Sequence, residues 1–236
     1  DHAKGVESRT QKLFDVCRMR KLPVVTFMNK LDRAGLDPLE LMDEVGSTLN
    51  LKICPLTWPV GMGRDFKGVV TLPDRKLILF HAEGRHGSTV LDSEIIALED
   101  AEEKLGASLL EETIEAIDLL EMAGDPWDLE SFLAGELSPV FWGSAMTNFG
   151  VEPLLSFLAK HAAPPKSRST TEGATIHPHD PLFRGFIFKI QANMNPRHRD
   201  RIAFMRVVSG QFQRDMEVKL GRNGQKLKLA KPHSFM

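Results

Sequence analysis

Apolar runs and helical periodicities alternate over roughly the first two thirds of the chain, and short strand-like runs take over near its end. Val6, Thr10, Leu13, Phe14 and Cys17 recur at helical spacing, with Arg9, Lys12, Arg18 and Arg20 on the other side, which predicts a surface helix. Residues 22–28, Leu-Pro-Val-Val-Thr-Phe-Met, form a short apolar run bounded by Lys21 and Asn29 and read as a buried strand. The polar tetrad Asn29-Lys30-Leu31-Asp32 then falls at the carboxyl end of that strand. Asp37 can cap, Pro38 suits the first helical position and Glu40 lies three residues past the cap, so a second helix begins there with Leu41, Val45 and Leu49 facing inward. Strand, tetrad, short loop and helix make a βα unit of a parallel sheet.

From about residue 53 to 138 the pattern changes. Val69-Val70 and Leu77-Ile78-Leu79-Phe80, separated by Pro73-Asp74, predict a hairpin within an inserted α+β subdomain. An acidic helical stretch is expected over 92–104. A further helix would open at Ser108, with Glu111 completing a capping box, and close at Gly124 and Pro126. Glu99, Asp100, Glu102, Glu103, Glu111 and Glu112 have no adjacent base or metal ligand in the sequence and read as a solvated face. Pro139-Val140-Phe141-Trp142 predicts a second buried strand, Gly143-Ser144-Ala145 a small-residue loop, and Val151, Leu154, Leu155 and Leu158 one face of a helix. Residues 1–165 therefore form one domain and 166–181, rich in Ser, Thr, Pro and His, a linker. His177 and His179 in that linker have nothing nearby to complete a metal shell. Short strands over 186–190, 201–208 and 226–229, with turns at Gly210 and Asn223-Gly224, place the start of an all-β domain at 182–236.

Composition narrows the setting. With 236 residues, 42% of them hydrophobic, the chain can bury a large core, and a net charge of −2 gives no global basic field to recruit nucleic acid or anionic membrane. Cys17 and Cys54 match no metal spacing and suit a reducing compartment, so a cytoplasmic location is expected. No run reaches 18 consecutive apolar residues, and Asp1-His2-Ala3-Lys4 lacks a signal-peptide pattern and an initiator Met, as a cut through a longer protein would.

The tetrad carries the clearest chemistry. Guanine offers two adjacent N–H donors on its Watson–Crick edge, and a carboxylate such as Asp32 can accept both, whereas adenine cannot make that pair. A site built to satisfy such groups rejects an analogue lacking them by ~10⁴ or more. Lys30 could lay its stem on the base face and Asn29 could tie the loop to its neighbours; a plain helix-start loop with a surface Lys is the alternative. Gly143-Ser144-Ala145, at a second strand end, can supply a backbone N–H for guanine O6 or serve simply as a turn.

With these motifs in place, the chain resembles the translational GTPases, and among them the release factor 3 family. Asp1-His2-Ala3-Lys4-Gly5-Val6-Glu7 is similar to the segment after the strand that follows the second switch. Asn29-Lys30-Leu31-Asp32 and Gly143-Ser144-Ala145 are similar to the two guanine-specifying motifs. The block FKIQANMNPRHRDRIAFMR over 188–206 resembles the opening of the release factor's β-barrel domain and argues against elongation factor G. The resemblance implies the C-terminal part of a P-loop GTPase domain, a parallel sheet with flanking helices and an inserted subdomain, followed by the start of an all-β barrel. It implies GTP or GDP held by Asn29, Lys30, Asp32, Ser144 and Ala145. It also implies a cytoplasmic, monomeric factor whose partners are the ribosome and the class one release factors, with no membrane or DNA partner. The sequence contains no Gly-x-x-x-x-Gly-Lys-Ser/Thr segment and no Asp-x-x-Gly segment assigned to the second switch; Asp43-Glu44-Val45-Gly46 matches the letters but lies in a predicted helix. No catalytic or metal-binding residue is therefore assigned, GTP hydrolysis and Mg²⁺ belong to the intact protein, and this stretch alone is expected to be inactive. Two alternatives stay open. One is an elongation factor G-like or ribosome-protection GTPase. The other is a non-catalytic ribosome-interaction fragment in which Arg197, His198, Arg199, Arg201 and Arg206 meet RNA phosphates, unless these only pair with surface charge around Asp200.

Overall fold

The computed structural model describes residues 1–80, 93–192 and 201–230, and the chain divides into two compact units, Asp1–Ala163 and Pro164–Met236. In the first unit, helix α1 (Ser8–Met19) precedes strand β1 (Thr26–Met28), shorter than the apolar run predicts. Of the apolar positions on α1 only Phe14 is buried, and Leu13 is exposed. Helix α2 (Pro38–Leu49) starts where the cap signal places it. The Asp37 carboxylate accepts from the N–H groups of Leu39 and Glu40, and Leu41, Met42, Val45 and Leu49 are buried.

Strand β2 (Lys52–Pro55) belongs to the parallel sheet, whereas β3 (Thr57–Val60), β4 (Gly68–Thr71), β5 (Lys76–Phe80) and β6 (Ser93–Ala97) form an antiparallel sheet in that order. The strand β6 occupies much of the stretch whose acidity suggested a helix. Helix there is limited to a 3₁₀ turn (Leu98–Asp100) and α3 (Glu102–Leu105), because alternating exposure along Ser-Glu-Ile-Ile-Ala suits an edge strand paired to β5. Helix α4 (Ala107–Ala123) opens at Gly106, at φ +83°, without a side-chain cap, so the Ser108–Glu111 box is not used. All six carboxylates assigned to a solvated face are exposed.

After α5 (Leu129–Ala134), strand β7 (Leu137–Trp142) runs between β1 and β2, parallel to both and buried along its whole length. A central parallel strand is covered on both faces, which accounts for its near-continuous apolar sequence. Helix α6 (Val151–His161) follows; its buried residue is Phe157 rather than the expected Leu155, which is exposed.

In the second unit, the expected linker contains a two-residue ladder between β8 (Arg168–Ser169) and β9 (Thr175–Ile176). Strands β10 (Arg184–Ala192) and β11 (Arg201–Ser209) pair antiparallel, as do β12 (Glu217–Lys219) and β13 (Lys226–Lys228). The expectation of a barrel is overturned: among the described residues these pairs are separate two-stranded sheets and no sheet closes. Closure needs every strand hydrogen-bonded on both sides and an inside face set by alternation. Instead the consecutive residues Phe186, Ile187 and Phe188 are all exposed, and the ladder is irregular between Ile187 and Lys189.

Candidate functional site

The register of β1 against β7 pairs Met28 with Trp142, so the tetrad and the Gly-Ser-Ala loop leave the sheet side by side. Backbone bonds continue the pairing: Gly143 N–H donates to Met28 O at 3.0 Å and Leu31 N–H to Gly143 O at 3.2 Å. Leu31 is wholly buried and fastens the tetrad to the core.

The five residues singled out in the sequence fall in one hydrogen-bonded cluster. Asn29 Oδ1 accepts from Lys30 N–H at 2.8 Å and from Ala145 N–H at 2.9 Å, joining the two loops. Lys30 holds φ at +75°, a conformation that costs a non-glycine residue about 1–3 kcal/mol and persists only where surrounding bonds impose it. Ser144 is fully buried, and its hydroxyl donates to Asp32 Oδ1 at 2.6 Å, a charge-assisted bond that orients the carboxylate. Asp32 Oδ2 lies 3.8 Å from Arg33 Nε, an exposed pair of little energetic weight. The Lys30 ammonium meets Asp1 Oδ2 at 2.7 Å.

Three residues to which the sequence reading assigned no role in the pocket support this cluster. Phe149 exchanges both backbone hydrogen bonds with Ser144, at 2.8 and 3.1 Å, and its ring stacks on Phe80 with centroids 4.6 Å apart. The inserted sheet thus braces the Gly-Ser-Ala loop. Gly143 is required here because a Cβ would lie 2.1 Å from Phe149 O. The glycines flanking this turn, Gly143 and Gly150, were the one available signal for Phe149. Asp1, which meets Lys30, and His2, whose backbone N–H donates to Asn29 O at 3.1 Å, entered the sequence reading only within the Asp1–Glu7 family block, with no role assigned.

A cleft of about 790 Å³ between α2 and α4, lined in part by Met42, Leu51, Ile53 and Leu120, contains none of these residues. Burial, with a smaller contribution from Asp125, pushes the Cys54 thiol up to about 11. Among the described residues no group of three or more His, Cys, Asp or Glu is placed to hold a metal ion, and no helix is long and apolar enough to cross a membrane. His177 instead shares a hydrogen bond with Ser167 at 2.9 Å. Arg197, His198 and Arg199 lie outside the described residues. Arg201 and Arg206 are exposed on β11, five positions apart and hence on opposite faces.

Residues 1–164 match the family model for the elongation factor Tu GTP binding domain, and residues 182–236 match elongation factor G domain 2. Over its whole length the chain is 50% identical to peptide chain release factor 3 of Symbiobacterium thermophilum and 49% identical to peptide chain release factor 3 of Staphylococcus carnosus. It spans 45% of the length of each of these relatives. A crystal structure of a Thermus thermophilus protein superposes with a TM-score of 0.65 at 19% identity, over 96% of this chain and 33% of the other, a likeness of fold alone.

Proposed function

The chain belongs to the elongation factor Tu GTP-binding domain family, and from that premise we propose that it is the guanine-specifying portion of a release factor 3 GTPase. The observation that carries this reading is the pair of bonds joining the loops, Asn29 to Ala145 and Ser144 to Asp32, at two adjacent strand ends. Ligands bind open α/β sheets at that end. Asp32 accepts from guanine N1–H and the 2-amino group, with Oδ1 already oriented by Ser144. The Lys30 stem covers one face of the base. The Ala145 N–H, which donates to Asn29 in the structure, is shared with or released to guanine O6.

The donor set fits a guanine base and includes no phosphate cradle, since the sequence has no Gly-x-x-x-x-Gly-Lys-Ser/Thr segment. The relatives are roughly twice as long, and the phosphate and Mg²⁺ ligands are assigned to that additional length. GTP hydrolysis is accordingly an activity of the full-length protein, which acts in the cytoplasm on the ribosome to release class one release factors at termination.

The match of residues 182–236 to elongation factor G domain 2 favours a second reading, a translocation factor with the same nucleotide chemistry and a different task. One experiment separates them. Full-length protein is added with GTP, GDP or ATP to ribosomes stalled after termination with a labelled class one release factor bound, and in parallel to pre-translocation ribosomes. The proposal expects GTP-dependent release of the factor, no effect of ATP and no translocation. Translocation without factor release would favour the second reading, and response to ATP would overturn both.

A further inference from the structure

His2 is wholly buried although Ala3 and Lys4 beside it are exposed. Its backbone N–H donates to Asn29 O at 3.1 Å and its Nδ1 lies 3.4 Å from the same oxygen. A carbonyl only accepts, so Nδ1 is the donor in this contact. The backbone carbonyl of His2 in turn accepts from Leu36 N–H at 3.2 Å. One residue therefore ties together the two ends of the loop that carries Lys30 and Asp32.

The atom that His2 holds matters for geometry. Asn29 C=O and Lys30 N–H are the two ends of a single planar peptide unit. His2 grips the oxygen end through two nitrogens, while Asn29 Oδ1 grips the N–H end at 2.8 Å. Orienting that plane sets the left-handed φ of +75° at Lys30, and with it the direction of the Lys30 stem and of the following Asp32. The far edge of the ring has no such task. Nε2 has no hydrogen-bond partner among the described residues, and an unpaired buried polar atom is costly where an aliphatic side chain of similar size would not be. Room for that edge comes from Gly35, where a Cβ would fall 2.1 Å from both Cδ2 and Nε2 of His2.

We infer that His2 is a positioning residue for guanine-nucleotide binding, clamping the Asn29–Lys30 peptide in the orientation the tetrad needs, and that Gly35 is a glycine because it accommodates the clamp. The inference rests on the guanine reading of the tetrad.

The test is carried out on the full-length protein, with release of fluorescently labelled GDP as the readout and thermal melting in parallel. His2→Leu keeps the bulk and removes the Nδ1 donor. It is expected to speed GDP release about 3- to 10-fold, the value of one lost hydrogen bond. His2→Asn places an N–H donor near the Nδ1 position and should restore release to within about 2-fold of the parent, a rescue that bulk alone would not give. Gly35→Ala should speed release on its own but change it by less than about 2-fold when combined with His2→Ala, because the ring it collides with is gone. Should His2→Leu fail to fold, the Asn variant and the Gly35 cycle still decide the matter. Parent-like release from His2→Leu, or a Gly35→Ala effect of equal size with and without the ring, overturns the inference. Asp32→Asn serves as the control on the underlying reading. If it leaves the preference for guanine over xanthine nucleotides unchanged, that reading fails and the clamp falls with it. If preference shifts while His2 and Gly35 show no coupling, only the clamp is overturned.

Discussion

Replacing Ser144 by Ala removes a side-chain hydroxyl bonded to Asp32 and changes little else, since Ser144 is buried and its backbone bonds to Phe149 do not involve the side chain. A hydrogen bond to a charged group contributes about 1.5–3 kcal/mol. The Asp32 side chain is 26% exposed, so water partly replaces the lost donor and the lower end of that range, about 1.5 kcal/mol, applies. For a domain of this size the melting transition of the first unit should drop by about 3–6 °C. Circular dichroism of Ser144→Ala, Asp32→Ala and the double variant gives the assay. The Ser144 effect should largely disappear once Asp32 is gone, because the two act as a pair. A Ser144→Ala cost below about 0.3 kcal/mol, or an equal cost in both backgrounds, refutes the view that Ser144 orients the Asp32 carboxylate.

Further outcomes follow from other parts of the first unit. With the Cys54 thiol raised to about 11, only ~10⁻³ of it is thiolate at pH 8, so Cys17 alone should react quickly with a thiol reagent in the native chain and Cys54 only after denaturant is added; two fast thiols contradict the burial argument. Because that thiol's folded value lies above its unfolded one, its contribution to stability is intact below the unfolded value and is lost as pH rises toward 11, which denaturant titrations at pH 8 and 10.5 would register. Asp37→Ala removes the cap of α2 and should cost about 1 kcal/mol, with Asn restoring most of it in the same melting assay. Leu31→Ala opens a hole beneath the tetrad and should cost about 2–5 kcal/mol in denaturant midpoint, far more than a surface loop leucine would.

What the sequence revealed and what it concealed divide along physical lines. The Asp37-Pro38 start of α2 and the buried strand ending at Trp142 were readable because local cap chemistry and a continuous apolar run determine them. That the two strands would be neighbours, and so bring Asn29 to Ala145 and Ser144 to Asp32, followed only from the resemblance, since register is a long-range property. The acidic stretch misled because charge reports solvation, and Ser93–Ala97 meets solvent as an edge strand as readily as a helix would. The barrel expectation rested on the family and on apolar runs without clean alternation, and the described strands pair only two by two. The family block contained His2 but not its role: a single histidine next to exposed residues gives no sign of burial until the loop of residues 29–36 is folded over it.

The most direct test of the central claim is the nucleotide preference of the full-length protein carrying Asp32→Asn. An amide donates where the carboxylate only accepts, and xanthine presents an acceptor where guanine has its 2-amino group. The parent should bind GDP and reject ADP by ~10⁴ or more. The variant should lose GDP affinity and gain xanthosine diphosphate. Unchanged GDP affinity, with no gain for the xanthine nucleotide, would contradict the assignment of Asp32 and with it the guanine pocket.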